Sequence, residues 1–262
     1  MSKRNVRVCV ISDVHLGFLG SRAGALSRYL GSIQPEILIL NGDIIDMWQF
    51  RSYYFPTDHQ LVLQTVLRMM SEGTRVYYLT GNHDEALRKY SGFTAGNFSL
   101  EDKLLLDLDG KTYWFFHGDV FDISMQGSRW PAKLGSTGYE LLILLNKGVN
   151  ALLVLMGRER ISFSKRIKEA TKRGIKKLGN YELTSAEIAI ENGYHAVVNG
   201  HVHVPVIKTI ETEKGKTLYM NSGDWVEHMT SLEYHDGEWQ LHYFEDKVEG
   251  GEQFGFTSED VP

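Results

Sequence analysis

The sequence predicts an α/β fold, in which the strands of an open sheet alternate with helices. Three observations support this prediction. Short β-branched apolar runs alternate with helically periodic segments in the first third of the chain. A polar motif directly follows each of these runs, as expected where a site lies beyond the carboxyl ends of parallel strands. Apolar residues make up 42% of the chain, which is enough for a sizeable core.

The first part of the chain has the predicted order strand, helix, strand, helix, strand. The three strands are predicted from compact apolar runs, at Val6–Ser12, Ile37–Leu40 and Arg75–Thr80. The two helices are predicted from apolar residues at helical spacing, at Ala23–Ile33 and Asp58–Glu72. The second helix is expected to end before Gly73, since glycine commonly follows a helix C-terminus.

The second part of the chain is predicted to begin with a β-hairpin and to end with several strands. Asp109-Gly110 joins the two arms of the hairpin, Leu104–Leu108 and Thr112–Phe116. A long helical stretch is expected between residues 138 and 194. The remaining strands are separated by glycine-containing turns and are predicted at Ala196–Asn199, Val206–Glu211, Thr217–Asn221, Met229–His235 and Trp239–Phe244.

Composition and charge exclude several classes of protein. The net charge of -5 argues against a nucleic-acid binder, which is usually basic. A single cysteine, Cys9, excludes an internal disulfide and fits a reducing compartment. The apolar stretch near the N-terminus is too short for a signal peptide. Leu141–Met156 is the most apolar segment, but Asn146 and Lys147 interrupt it, so we expect a cytoplasmic protein without a membrane span.

Five polar motifs follow predicted strands and contain five of the ten histidines of the chain. They are Asp13-Val14-His15, Gly42-Asp43, Gly81-Asn82-His83-Asp84, His117-Gly118-Asp119 and Gly200-His201-Val202-His203. Each motif alone is explained by turn or cap chemistry. Together they indicate a site for Mn²⁺, Fe²⁺ or Zn²⁺, because imidazole and carboxylate ligands without thiolates suit such ions.

The spacing within the motifs suggests how the side chains converge. In extended backbone, residues i and i+2 point to the same side, so Asp13 and His15 are expected to face one ion. The same reasoning applies to His201 and His203. The glycines of the motifs permit unusual backbone angles and a close approach to ions or phosphate, at positions 42, 81, 118 and 200.

The segments ISDVHLG, NGDIID, TGNHDE, FHGD and NGHVH resemble the motifs of the calcineurin-like metallophosphoesterases, in the order of that family. The resemblance implies a four-layer α/β/β/α sandwich with the site at the rim between two sheets. It also implies two divalent ions and their ligands. One ion would bind Asp13, His15 and His203, the other would bind Asn82, His117 and His201, and Asp43 would bridge them.

The resemblance also implies a mechanism of phosphoester hydrolysis. A hydroxide shared by the two ions would attack phosphorus in line, and His83 would protonate the departing oxygen. Asp46 or Asp84 would orient His83, and Asp46 is preferred because it matches the second carboxylate of the family's GDxxD pattern. Asp119 and Asn221 are expected either to support the site or to act in turns and caps.

A long insertion separates the fourth motif from the fifth and is predicted to form a helical cap, at residues 121–194. The cap would interrupt a phosphoesterase domain of residues 1–245, and an acidic flexible tail would follow at residues 246–262. Leu141–Met156 is apolar, and Arg158–Lys177 carries nine Lys/Arg and two acidic residues. This pattern fits docking on an anionic membrane surface, although a buried helix beside a solvated one explains it equally well.

The whole arrangement resembles the UDP-2,3-diacylglucosamine diphosphatases of lipid A synthesis, whose cap houses acyl chains. The resemblance implies release of UMP from a nucleotide-linked lipid at the cytoplasmic face of the inner membrane. Asn82, Arg88 and Lys89 would then contact the diphosphate. His83 departs from the best-known branch, which has arginine there, and so indicates a divergent His-containing branch. A phosphodiesterase for cyclic nucleotides or another nucleotide-linked lipid, or a catalytically silent binding module, is the alternative.

Overall fold

The computed structural model describes residues 3–48, 54–121 and 181–246. Within them are twelve strands: β1 (Arg4–Ile11), β2 (Ile33–Asn41), β3 (Arg75–Leu79), β4 (Phe93–Ala95), β5 (Phe98–Glu101), β6 (Lys103–Leu108), β7 (Lys111–Phe116), β8 (Ala196–Asn199), β9 (Val206–Thr212), β10 (Gly215–Asn221), β11 (Thr230–His235) and β12 (Glu238–Tyr243). The helices are α1 (Ala23–Ser32), α2 (Thr57–Ser71) and α3 (181–191), with a 3₁₀ helix at Glu85–Tyr90. In this part of the chain, no helix is long and apolar enough to cross a membrane.

The strands form two sheets. One sheet has seven strands in the order β12-β11-β1-β2-β3-β5-β4, and the other has five in the order β6-β7-β8-β10-β9. β1, β2, β3 and β5 run parallel in the first sheet, as do β7, β8 and β10 in the second. The carboxyl ends of parallel strands therefore meet along one edge of each sheet, where α/β proteins place their sites.

Three apolar layers hold the two sheets and their helices together. Successive side chains of a strand point to opposite faces, so each central strand contributes to two layers. In β1, Val8 and Val10 pack between the sheets, whereas Cys9 and Ile11 pack against α1 and α2. In the second sheet, Phe115 faces the first sheet and Phe116 packs on the side of α3. The molecule is thus a four-layer α/β/β/α sandwich, as the resemblance implied.

Most predicted strands and both early helices are present, with shifts of a few residues at their ends. One boundary was wrong: Ile33 was placed in a helix but begins β2, where it pairs with Arg4. The short strands β4 and β5 and the 3₁₀ helix were not predicted. The predicted long helix extends too far, because residues 192 and 193 form a turn that ends α3.

Several predictions concern residues outside the described ranges. These are the apolar segment Leu141–Met156, the basic segment Arg158–Lys177 and nearly all of the predicted tail. The boundaries of the domain, cap and tail therefore stay predictions.

Candidate metal centre

The polar motifs meet at the rim between the two sheets. Asp13 and His15 follow β1, and Asp43 follows β2. His117 and His201 follow β7 and β8 of the other sheet. Backbone contacts join these segments, since the Asp13 N–H donates to the Gly42 carbonyl oxygen at 3.1 Å. Side chains that are far apart in sequence therefore share one small region.

The backbone at this rim is unusual. Five of the residues predicted as metal ligands have φ between 52° and 69°: Asp13, His15, Asp43, His201 and His203. None of the five lies within a strand. The expectation that residues i and i+2 converge through extended backbone was therefore wrong. Left-handed residues just beyond the strand ends turn the side chains towards one another, and such strained residues are typical of functional sites.

Three groups of side chains bring potential ligand atoms within 4.8 Å of one another. The first contains Asp13, His15 and His203, and the second contains Asp43, His117 and His201. The third joins His15 and Asp43 to His83. Asp43 thus lies between the two clusters of histidines.

Asp43 and His117 form the centre of the arrangement, and both are almost completely buried. Asp43 Oδ2 lies 3.1 Å from His117 Nε2. His117 Nδ1 lies 2.9 Å from the Asn41 carbonyl oxygen, which can only accept a hydrogen bond. That carbonyl places the imidazole proton on Nδ1 and leaves Nε2 as the available ligand atom, as in many metal sites.

Several buried polar atoms at this rim are suited to a cation. His15 Nε2 and Asn82 Oδ1 are buried and have no hydrogen-bond partner in the described ranges. His117 Nε2 also has no partner of suitable geometry there, despite its closeness to Asp43. Buried polar groups are rarely left unsatisfied without a reason. Imidazole nitrogen beside carboxylate and amide oxygen is a suitable donor set for Mn²⁺, Fe²⁺ or Zn²⁺.

The electrostatics of the protein alone also favour a bound positive charge. Burial raises the pKa of the Asp43 carboxyl, but His117 and His15 lower it by more, so the pKa lies well below its usual range. Burial lowers the pKa of His203, but Asp13 raises it by more, to about 9. Carboxylates also raise the pKa of His117, so protons on His117 and His203 supply positive charge beside the buried carboxylates, and a metal ion would replace them.

Glycines make room for the two central carboxylates. A Cβ on Gly200 would lie 2.6 Å from Asp13 Oδ2 and 2.7 Å from Ser12 Oγ. A Cβ on Gly81 would overlap Asp43 Oδ1. Gly42 has a φ of 84°, and a Cβ there would overlap the ring of His117. The motif glycines are therefore required by close packing around the predicted ligands.

His83 lies beside the two clusters, with 17% of its side chain exposed. Its Nδ1 atom is 3.1 Å from Asp46 Oδ1, and the other oxygen of Asp46 is 3.5 Å from His15 Nδ1. Asp46 therefore lies between the predicted general acid and a predicted ligand. Burial lowers the pKa of His83, but Asp46 and Asp43 raise it by more, so the net pKa is above its ordinary value.

Asp84, the other predicted partner of His83, is bound elsewhere. Its carboxylate accepts hydrogen bonds from the N–H groups of Ile44 and Gly81, at 3.0 and 2.6 Å. The Tyr78 hydroxyl donates to it at 2.6 Å. Asp84 thus holds the loops after β2 and β3 together, and the geometry favours Asp46 as the group that orients His83.

The predicted substrate contacts lie on the 3₁₀ helix. The Arg88 guanidinium donates to Asp119 at 3.0 Å and lies 3.3 Å from Asp102 Oδ1. Lys89 is exposed, with Nζ 4.9 Å from the centre of the Tyr90 ring. Arg88 thus has a structural role in linking β-strand ends, and a contact between either cation and substrate stays a prediction.

The two residues with an open role, Asp119 and Asn221, both act through hydrogen bonds. Asp119 binds Arg88, as described above. The Asn221 side chain donates to the Gly200 carbonyl oxygen at 2.7 Å and accepts from the Gly223 N–H at 2.9 Å. It therefore fixes the loop that carries His201 and His203.

Sequence reasoning missed two supporting residues. Asp224 is fully buried, and its Oδ2 atom lies 3.9 Å from His203 Nδ1 and 2.5 Å from His228 Nδ1. Trp48 packs on the ring of His83, with 4.2 Å between ring centres. Trp48 could have been noticed from its position two residues after Asp46. The sequence contains no comparable indication for Asp224, because no metal ligand was predicted after β10, the strand that precedes it.

Comparison with known proteins identifies a family to which this chain is similar. The family described as "Calcineurin-like phosphoesterase" matches residues 6–205. A UDP-2,3-diacylglucosamine hydrolase of Aliivibrio fischeri (strain MJ11) is 27% identical over 246 residues, covering 90% of this chain and 97% of that protein. One of Ectopseudomonas mendocina (strain ymp) is also 27% identical, over 88% of this chain and 95% of its own. A solved archaeal phosphodiesterase is 12% identical, with a TM-score of 0.42 over 90% of this chain and 98% of that one.

Proposed function

Because this chain belongs to the calcineurin-like phosphoesterase family and is a metal-dependent phosphoester hydrolase, we propose that it cleaves UDP-2,3-diacylglucosamine into UMP and 2,3-diacylglucosamine 1-phosphate. The observation that carries the proposal of two metals is the position of Asp43, which groups with His117 and His201 on one side and with His15 and His83 on the other. One ion would be held by Asp13, His15 and His203. The other would be held by Asn82, His117 and His201, with Asp43 shared by both.

The donor set suits Mn²⁺, with Fe²⁺ or Zn²⁺ as alternatives. When bound, such ions supply positive charge to phosphoryl oxygens and lower the pKa of a water molecule. The protein supplies the fixed geometry, since backbone hydrogen bonds join the segment of Asp13 to that of Asp43, and the segment of His117 to that of His201.

His83 would act on the departing group. Asp46 lies next to Nδ1, so Nε2 on the other side of the ring is the atom that would face substrate. As the P–O bond breaks, the departing oxygen takes the electron pair of that bond and the proton of His83. Asp46 then stabilises the orientation of the imidazole.

The lipid substrate is supported by the relatives. Two proteins named UDP-2,3-diacylglucosamine hydrolase match about nine-tenths of this chain and nearly all of their own length. Asn82, Arg88 and Lys89 would contact the diphosphate, and the predicted cap at residues 121–194 would receive the acyl chains. A substrate embedded in a bilayer would require docking at the cytoplasmic face of the membrane, for which the basic segment Arg158–Lys177 is suited by charge.

A phosphodiesterase with another substrate is the second candidate. The observation that favours it is His83, which stands where the best-known diacylglucosamine branch has arginine. Cyclic nucleotides and other nucleotide-linked lipids are the substrates to compare.

The test uses the full-length protein supplied with Mn²⁺. UMP release from detergent-dispersed UDP-2,3-diacylglucosamine is measured beside hydrolysis of cyclic nucleotides and of bis-p-nitrophenyl phosphate. We expect UMP from the lipid, and a loss of at least about 100-fold in Asp43→Asn on every substrate. Phe93→Ala, an exposed side chain on the edge strand β4, is the control and should keep full activity.

The possible results separate the proposals. If no UMP appears while another phosphodiester is cleaved, the lipid proposal is rejected and the hydrolase remains. If nothing is cleaved with any divalent ion, the catalytically silent binding module replaces the enzyme.

A further inference from the structure

The indole ring of Trp48 lies against the imidazole of His83. The two ring centres are 4.2 Å apart and the ring planes are inclined by 33°. We propose that Trp48 is a positioning residue that fixes the His83 imidazole for proton transfer to the leaving group. This inference rests on the function proposed above for His83.

The backbone around Trp48 is fixed to the same histidine. The Trp48 N–H donates to Asp46 Oδ1 at 3.1 Å, and that oxygen is itself 3.1 Å from His83 Nδ1. The Met47 N–H donates to the His83 carbonyl oxygen at 3.0 Å. The segment 46–48 therefore contacts His83 at its backbone, at one ring nitrogen and across the ring face. The bond from the Trp48 N–H to Asp46 is ordinary turn chemistry, whereas the contacts with the backbone and ring of His83 join two separate segments of the chain.

A second ring also contacts His83. The imidazole of His15 meets it edge-on, with ring centres 4.6 Å apart and planes at 86°. An unrestrained imidazole rotates about χ2 between broad minima, so one carboxylate alone does not fix it. Trp48 and His15 limit that rotation, while Asp46 Oδ1 lies 3.1 Å from the buried Nδ1 without the geometry of a hydrogen bond. Nε2 is the ring nitrogen that does not face Asp46, and the side chain keeps 17% exposure.

Loss of the contact between Trp48 and His83 should affect mainly substrates with poor leaving groups. A general acid assists departure of a poor leaving group, whereas a nitrophenolate departs without a proton. A displacement of about 1 Å in a catalytic group can lower the rate by about 100-fold. Loosening His83 should therefore slow substrates with poor leaving groups and leave good ones nearly unchanged.

The experiment compares methyl p-nitrophenyl phosphate with methyl phenyl phosphate on the Mn²⁺-loaded enzyme. For Trp48→Leu we expect kcat for the phenyl ester to fall about tenfold, with less than a twofold change for the nitrophenyl ester. Trp48→Phe keeps an aromatic face and should restore most of the phenyl activity. His83→Ala should show the same dependence on leaving group with a larger loss, about 100-fold.

A double variant separates action through His83 from any other role. If Trp48 acts through His83, Trp48→Leu combined with His83→Ala should be no slower than His83→Ala alone. Phe93→Ala, which changes an exposed aromatic residue on the edge strand β4, should change neither ester. Melting curves of all variants show whether a loss reflects folding.

Three results would overturn parts of this scheme. Equal losses on both esters in Trp48→Leu, or a change in KM alone, would mean that the indole contacts substrate or only stabilises the fold. If the losses in kcat from Trp48→Leu and His83→Ala add in the double variant, Trp48 does not act through His83 and the proposal is rejected. If His83→Ala itself shows no dependence on leaving group, the general-acid role in the proposed function fails first.

Discussion

At the scale of single residues, the left-handed backbone of five predicted ligands is the most informative feature. A non-glycine residue in this region is strained by about 1–2 kcal/mol. The surrounding hydrogen bonds must hold that strain, as the bonds from His15 N and Val14 N to the Asp43 carbonyl oxygen do. The backbone conformation that positions the predicted ligands therefore lowers the stability of the folded protein.

The strain can be measured by comparing two substitutions at one position. His15→Gly and His15→Ala both remove the imidazole, but only alanine keeps the strain at φ 53°. We expect His15→Gly to be more stable than His15→Ala by about 1 kcal/mol in urea unfolding with a chelator present. At an ordinary helical position, alanine is more stable than glycine. Ala25→Gly in α1 should therefore lower the free energy of unfolding by about 1 kcal/mol. Equal stability of the two His15 variants would show that the backbone there is not strained.

A second residue-scale prediction concerns Gly200, which leaves room for the Asp13 carboxylate. Gly200→Ala places a methyl group 2.6 Å from Asp13 Oδ2, so the carboxylate must shift. We expect metal affinity to fall by about 10–100-fold, as when groups that support a ligand are changed. The measurement is Mn²⁺ binding by calorimetry.

Gly31→Ala is the matched control, because a Cβ on Gly31 in α1 meets nothing within 4 Å. It should leave Mn²⁺ affinity unchanged and raise stability slightly, since alanine favours a helix. An unchanged affinity in Gly200→Ala would show that Asp13 can move without loss of the ion.

At the scale of secondary-structure elements, the central strands were the easiest part to predict. β1, β2 and β8 are buried on both faces, so their apolar runs are nearly continuous in the sequence. The strands β4 and β5 were missed because they have three and four residues, too short for a periodic pattern. A signal was available in Gly96-Asn97, the two-residue turn between them.

The candidate site was predictable in its residue types but not in its geometry. Polar motifs after strands identified the side chains that the structure brings together. The contact of Asp46 with His83 was implied by the family resemblance. The left-handed backbone and the contact of Asp46 with His15 were not predicted, since they depend on segments packed from separate parts of the chain. Local sequence patterns contain no information on such distant contacts.

An element-scale prediction concerns Glu233, which joins three elements. The carboxylate of Glu233 in β11 accepts from Tyr29 of α1 at 2.7 Å and from Arg4 of β1 at 2.8 Å. Burial raises the pKa of Glu233, but the bonds from Arg4 and Tyr29 lower it by more, so the net pKa is below its ordinary value of 4.5. The stabilisation from the ionised group is therefore fully present above pH 4.5 and is lost as the pH falls through the lowered pKa.

Glu233→Gln should therefore lower the free energy of unfolding at pH 7 by about 1 kcal/mol, because Arg4 is half exposed and its attraction is screened. The difference from the wild type should shrink as urea unfolding is repeated below pH 4.5. Glu191→Gln, which removes an exposed ion pair with Lys214, is the control and should change the free energy of unfolding at pH 7 little. A difference that grows at low pH would contradict the lowered pKa.

At the scale of the whole molecule, the candidate centre lies where the two sheets meet. Asp13, His15 and Asp43 come from the ends of strands in the seven-stranded sheet. His117 and His201 come from the five-stranded sheet. Bound ions would therefore link the two sheets at the rim, in addition to the apolar layer between them. Folding and metal binding should be thermodynamically coupled as a result.

Removal of metal tests this coupling. An ion that binds only the folded state stabilises it by about 2.7 kcal/mol per site at a free concentration 100 times Kd. We expect chelation to lower the melting temperature by several degrees and re-addition of Mn²⁺ to restore it. Asp43→Asn should show little of this shift, because Asp43 is proposed to bind both ions. His83→Ala should keep most of it, since His83 is proposed as a proton donor and not as a ligand. A shift of equal size in Asp43→Asn would mean that the stabilising ions bind elsewhere.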